Sequence, residues 1–503
     1  MTPGTDCLLA HDVGTSATKT SVVGSDGRIL ASQSTPHETR SPNPGWAEQD
    51  AGDWWDGVCR NTRALVERDP ALGRRIAAIG VSGHMLGCLP LDTDGRPLRP
   101  SMIHSDGRAS AEREQVQRQV GGETLYQTTG NILDPHSPLC KILWLKENEP
   151  DVYRRTARFV QSKDYVVGCM VGRFDSTDYS DASHAQWIDI NRGAYAEDVL
   201  GELGIDADKF PRLYSGVDVV GELTDEAAPA LGLQSGIPVV AGGGDGSCAT
   251  AGAGAVRPAD AYCCIGTTAW VAVTAEEPMI DPEGRIFNLT SLDGETCGVF
   301  GTVKSAGLSV DWMMDLLGEG DFERFDALLA EAPPGSDDLI FLPYLEGERS
   351  PIYDSDARGV FFGINSSHRR HHFLRATIEG VSYGLRSCLD VMRETIQVPA
   401  LRLIGGGGQS QAWQQILADV CAVNVQTLTT RAADATSVGA ALAAGVGVGI
   451  FDSLAEAAET IGVVKERPPR AESAETYERL FDIYMALYPA LKPLYRRLQG
   501  GKI

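Results

Sequence analysis

The 503-residue chain is too long for a single hydrophobic core, and two or three domains are expected. Its 43% apolar and 22% charged residues describe a globular protein and exclude a disordered one. A net charge of −24 repels nucleic acid and anionic membranes, and no apolar run reaches the roughly 18 to 20 residues of a membrane helix, so neither is an expected partner.

The opening segment, MTPGTDCLLAHD, has no basic n-region, which points to the cytoplasm. Eleven scattered cysteines show no CxxC pair and no Cys/His metal spacing, so free thiols are expected. The first predicted element is a β-run through Leu8-Leu9-Ala10. A glycine turn, Asp12-Val13-Gly14-Thr15-Ser16, and a second β-run, Lys19 to Val23, follow it. Asp26-Gly27 then marks a hairpin. A P-loop, GxxxxGK[ST], is absent. Asp53 to Val66 reads as an amphipathic helix and Ile76 to Ser82 as a buried strand. Leu89 to Gly95 reads as a hairpin, and Arg108 to Tyr126 and Leu139 to Asn148 read as helical.

The strand Val239-Val240-Ala241 runs into Gly242-Gly243-Gly244-Asp245. A β-run from Ala261 to Ile265, the turn Gly266-Thr267-Thr268 and another β-run to Val273 repeat the opening pattern. The repeat suggests two halves of similar design. Leu401 to Ile404 enters Gly405 to Gly408, with a helix after Gln411. The small-residue segment Gly439 to Gly445 suits close helix packing. Arg369 to His372 reads as a solvated helix start, and Tyr477 to Leu498 as a helix. Strands alternate with helices throughout, so the class is α/β.

Three places can carry chemistry. Gly14, Thr15 and Ser16 offer backbone N–H groups and hydroxyls to a phosphate, Lys19 adds a point charge, and Asp12 at the strand end can hold Mg²⁺. The same residues also describe a plain hairpin with a solvated carboxylate. Asp245, after three glycines at a strand's end, can act as a general base for a hydroxyl or simply satisfy nearby N–H groups. Gly405 to Gly408 can lie against a flat purine or serve as a packing turn.

Together the segments AHDVGTSATK, GWAEQDAGDWW, SPLCKILWLKENEP, GGGDGSCATAGAG, CIGTTAWV, FLPYLEGERSP, GVFFGINSSHRRHHFLRATIEG and IGGGGQSQAWQQILAD resemble the FGGY carbohydrate kinases, and within them the xylulokinases. The resemblance implies two ribonuclease-H-like domains of the actin and hexokinase type, residues 1–246 and 247–490, flanking a deep cleft. It implies ATP and Mg²⁺, a small sugar such as D-xylulose as acceptor, and a homodimer. Asp245 would be the base, and Asp12 with Asp245 would hold Mg²⁺. Gly14, Thr15, Ser16, Lys19, Gly266 and Thr267 would meet phosphates, while Gly406, Gly407 and Gln411 would lie at the adenosine. His84, Met85, Leu86, Asp106, Asp245 and Gly246 would line the sugar site.

The chain departs from the xylulokinase pattern at that sugar site. It reads His84-Met85-Leu86-Gly87 where that group has Gln-Met-His-Gly, Gly246 where an Asn follows the aspartate, and His104 where a Trp stands. Two polar contacts and one aromatic wall are lost relative to that pattern, and histidines 84, 104 and 136 are available to compensate.

Overall fold

The computed structural model describes residues 7–318, 324–431 and 433–498; the first six residues of the opening segment lie outside them. Two sheets repeat one strand order. In the first, Ile29–Pro36, Ala17–Gly24, Cys7–Val13, Ile76–Gly83 and Pro238–Val240 lie side by side. Cys7–Val13 is antiparallel to its hairpin partner Ala17–Gly24 and parallel to Ile76–Gly83. In the second, Cys297–Val303, Ala269–Ala275, Ala261–Ile265, Ala400–Ile404 and Asn424–Leu428 take the same places and directions. This is the ribonuclease-H-like arrangement, present twice, and the repeated hairpins are the two Gly-Thr turns of the sequence.

The halves interlock through two helices. Helix Asp245–Gly252 follows the last strand of the first sheet yet packs Ala249, with Ala253 at its C-cap, against Tyr262, Ala272 and Phe300 of the second. Helix Ala435–Gly447 follows the second sheet yet packs Val438, Ala441 and Leu442 among Leu8, Ala10 and Ala78 of the first. The two helices meet at glycines: a Cβ on Gly252 would stand 1.8 Å from the Ala435 carbonyl oxygen, and one on Gly439 would stand 1.9 Å from that of Cys248. Only side-chain-free backbone allows this approach, which is why the segment around Gly439 is built of small residues.

Local signals explain most boundaries. Asp50 caps helix Ala51–Arg68 by accepting from the Gly52 amide at 2.9 Å, and Trp54, Val58 and Leu65 form its buried face. Two expectations need correction and one needs extending. The helix expected over Arg108 to Tyr126 is two, Ser110–Gln119 and Gly122–Thr129, because Gly121 turns the chain at φ +85°. The hairpin at Asp94-Gly95 forms, with Leu91 bridged to Pro97, and Leu89–Leu91 pairs in addition with Arg158–Val160, a partner no local pattern announces. The start of helix Arg370–Arg393 is not simply solvated, since His372 is buried and its Nδ1 accepts from the Arg369 amide. Among the described residues no helix is long and apolar enough to cross a membrane, and the eleven cysteines are free thiols.

Candidate active site

Strand register brings the first two carboxylates together. Asp12 pairs with Lys19 across the hairpin and with Ser82 on the other side, and Ser82 pairs with Gly243. Asp12 and Gly243 therefore sit two strand spacings apart, about 10 Å, at the carboxyl ends of parallel strands, where α/β sheets place ligands. Asp245 opens helix Asp245–Gly252 two residues later. Burial pushes the Asp12 carboxyl up to about 7, with the Asp245 charge adding to the rise and Lys19 opposing it. Burial likewise raises Asp245 to about 6, against hydrogen bonds from the backbone of Gly246 and of Asp245 itself.

A hydrogen-bonded chain holds the base of this helix. The Gly244 amide donates to Ser180 Oγ at 3.0 Å, and Ser180 donates in turn to Asp178. Asp178 is ion-paired at 3.0 Å to Lys163, a lysine with no exposed surface. On the opposite side Tyr262 receives Trp270 Nε1 at 2.9 Å and donates to the Gly246 carbonyl at 3.3 Å. The residue after Asp245 is thus tied to the second sheet and the residue before it to the first half.

Asp245 opens into a cavity of about 350 Å³. Thr15, His84, Met85, Leu86 and Gly246 line it, with Thr268, Trp270 and Phe300 from the second sheet. The loop His84–Gly87 is fastened at three points. Ser162 Oγ donates to the His84 carbonyl (3.0 Å), Lys141 Nζ to that of Leu86 (2.8 Å), and the Gly87 amide donates to Gln161 Oε1 (2.7 Å). Leu86 is thereby kept at φ +60°, a conformation that costs a non-glycine residue about 1–3 kcal/mol. Lys141 also holds the carbonyl of Ile103 at 2.7 Å, next to His104. Sequence reasoning missed Asn131, Asp134, His184, Gln186, Arg349 and Tyr353 on the same walls, because segments distant in the chain supply them. His136, weighed as a compensating histidine, is there too, hydrogen-bonded through Nδ1 to Asp134.

A second cavity, about 590 Å³, lies beside the second sheet. Gly266 and Thr267 form one side, Gly406 and Gly407 another, with Val310, Phe325 and Trp413 between them. A Cβ on Gly406 would meet nothing within 4 Å, so the glycine faces open space. Gly266, Thr267 and Thr268 are consecutive, and the first two line this cavity while the third lines the first one. One turn therefore stands between the two spaces. It is braced from behind by the amides of Ala306, Gly307 and Leu308, which donate to its carbonyls at 2.9–3.1 Å.

The remaining expected residues fall at or outside these walls. Gly14 donates its amide to the Ala17 carbonyl at 3.1 Å, closing the first turn, and Ser16 is exposed. Lys19 is ion-paired with Asp434 and donates to the Ala433 carbonyl at 3.0 Å. Asp106 is fully buried and does not line the cavity: Arg108 and the Ala47 amide take both its oxygens, so it supports the loop carrying His104 and is not a sugar contact. Gln411 is likewise outside the second cavity, its side-chain oxygen accepting from Arg467 at 2.8 Å.

Known proteins share this arrangement. Residues 7–252 match the N-terminal domain of the FGGY family of carbohydrate kinases, and residues 261–448 match its C-terminal domain. The chain is 32% identical to the xylulose kinase of Bacillus subtilis over 98% of its own length and 99% of that protein. It is 26% identical to the gluconokinase of the same organism, over 98% of each. The ligand-bound xylulose kinase of Lactobacillus acidophilus superimposes with a TM-score of 0.93 at 26% identity, covering 98% of this chain and 100% of that one. The doubled fold, the paired cavities and the matches over both halves converge: this chain belongs to the FGGY family of carbohydrate kinases and is a sugar kinase.

Proposed function

We propose that the protein transfers the terminal phosphate of ATP to a hydroxyl of a small ketose, D-xylulose being the leading candidate, with Asp245 as the general base. The observation that carries this reading is the Gly266-Thr267-Thr268 turn, shared by a nucleotide-sized cavity and a sugar-sized one that contains Asp245. A nucleotide lying against Gly406 and Gly407 directs its phosphates over that turn. Its terminal phosphate then reaches the turn Gly14-Thr15-Ser16, of which Thr15 lines the sugar-sized cavity. Amide and hydroxyl donors in fixed turns stabilise charge on the transferring group without reorganising, which is what phosphoryl transfer demands. His84, Met85, Leu86 and Gly246 hold the acceptor beside the Asp245 carboxylate, which removes the proton of the attacking hydroxyl. Xylulose kinases among the relatives favour the ketose, and the gluconokinase relative is the reason to test sugar acids beside it.

Asp12 and Asp245 fit a divalent cation: two carboxylates raised by burial, with Asp245 adding to the rise at Asp12, gain from a shared positive charge. Among the described residues no set of three or more His, Cys, Asp or Glu side chains forms a metal cage. That suits Mg²⁺, which takes one or two carboxylates and completes its shell with phosphate and water. Bound there, it would offset phosphate charge.

Lys19 reads as a phosphate contact that must leave Asp434 to act. Lys19→Ala is expected to lower kcat about tenfold or more with a smaller change in the sugar KM, measured by coupled ADP release; an unchanged kcat removes Lys19 from charge stabilisation. The same assay, run across ketopentoses, polyols and sugar acids, tests the acceptor assignment directly. The resemblance also carries a homodimer in the cytoplasm, and the first of these is read by the mass of the native protein in solution.

A further inference from the structure

The polar side chains around the sugar-sized cavity divide into those already spent and those still free. Asn131 gives its amide hydrogens to the carbonyls of Thr129, Ser183 and Asn288 at 2.9–3.1 Å. Gln186 donates to the carbonyls of Asn131 and Ile132, both at 3.1 Å, and accepts from Ser137. These two build the wall and have little left for a ligand.

The free groups are Thr302 Oγ1, buried without a partner, and a set of imidazoles. His84 is 2% exposed, and neither of its ring nitrogens has a partner. His184 Nδ1 is also buried without one. The His84 and His104 rings are 6.3 Å apart. His184 lies flat on Phe287, centroids 5.5 Å apart and planes 6° from parallel, and Phe287 stacks in turn on Phe300. That stack fixes the ring plane and so the directions in which its nitrogens can bond. Burial holds His84 and His184 down at about 3 and His104 at about 4, so all three are uncharged at neutral pH. A neutral imidazole offers one donor and one acceptor, the pair that a hydroxyl matches.

We propose that His184 is a specificity-determining residue for the acceptor, forming with His84 and His104 a band of imidazoles that reads the hydroxyls that do not react. This rests on the kinase reading above and adds to it a residue that no local motif marks. Its place in the fold supports the role. His184 ends the short helix Tyr179–His184, whose Ser180 accepts from the Gly244 amide beside the base. One rigid element therefore sets both where Asp245 stands and where His184 reads, so the hydroxyl it selects has a fixed spacing from the hydroxyl that reacts.

The test uses His184→Phe, which keeps the stack on Phe287 and removes both nitrogens, and His184→Ala, which cannot overpack the site. D-Xylulose, D-ribulose, xylitol and D-gluconate serve as acceptors with MgATP. For the best of these, KM is expected to rise about tenfold or more in either variant, with a clearly smaller fall in kcat and a flatter preference among the four. His184→Gln, which restores a donor and an acceptor, is expected to recover part of the KM. The melting temperature and MgATP affinity should stay near those of the wild type, and His184→Ala decides the matter if the Phe variant does not fold. An unchanged KM and ranking overturns the proposal, as does a loss that falls equally on kcat and is not recovered by Gln. Failure of the unmutated protein to phosphorylate any of the four contradicts the kinase reading itself, an outcome separate from any result in the variants.

Discussion

Asp245→Asn is expected to lower sugar-dependent ADP formation by about 10²-fold or more while MgATP still binds. The change replaces a carboxylate by a carboxamide of nearly the same shape, so the cavity and its helix remain, but the side chain can no longer take a proton. The environment supports that assignment: burial raises the carboxyl to about 6 yet leaves it ionised at neutral pH, held by backbone amides at the start of its helix. The sign for pH follows. Only the ionised form accepts a proton, so kcat/KM for the sugar should fall as pH drops through about 6 and level off above it. Near-wild-type turnover in the variant, or a flat profile between pH 5 and 8, removes Asp245 from the proton transfer. Equilibrium nucleotide binding separates this loss from a failure to fold.

Lys163→Met should be among the most destabilising single changes in the chain, costing about 3–5 kcal/mol. Lys163 has no exposed surface and is the cation facing Asp164, Asp178 and Asp181. Methionine fills most of its volume, so the cost is electrostatic: three buried carboxylates lose their counter-charge. Asp181 is already held well above its ordinary value by burial, and both its oxygens lack hydrogen-bond partners. A carboxyl whose folded pKa is raised loses stability as pH climbs from its unfolded value toward its folded one. Removing Lys163 widens that window, so the drop in melting temperature should be larger at pH 8 than at pH 5. Because Asp178 holds Ser180, which holds the Gly244 amide, any folded Lys163→Met protein should also turn over more slowly. A variant as stable as the wild type at pH 8 would mean that the cluster is not the ionised network described here.

Much of this was legible in the sequence, for physical reasons. The two Gly-Thr turns could be seen because β-hairpins are local, and their flanking strands carry their own β-rich signal. The small residues around Gly439 announced close packing, and the structure shows the backbone approach that demands them. What the sequence hid is what folding assembles from afar. Nothing local marks His184, Gln186 or Arg349 as neighbours of Asp245, since the first two reach the cavity from the end of helix Tyr179–His184 and the third from a loop of the other half. Asp106 shows the converse: its HSDGR context suggested a sugar contact, but Arg108 two residues on claims the carboxylate. The departures at Leu86 and His104 were visible as letters. Their consequence required the fold, because Lys141 pins the carbonyls of Leu86 and Ile103 from a helix more than thirty residues away.

The most direct measurement follows phosphorus. With the protein, MgATP and D-xylulose, ³¹P NMR should show a new sugar phosphomonoester growing in step with ADP, and neither should form at a comparable rate when the sugar is left out. Release of inorganic phosphate alone, at the same rate with or without any sugar, would contradict the account, since water and not an alcohol would then be the acceptor in the cavity of Asp245.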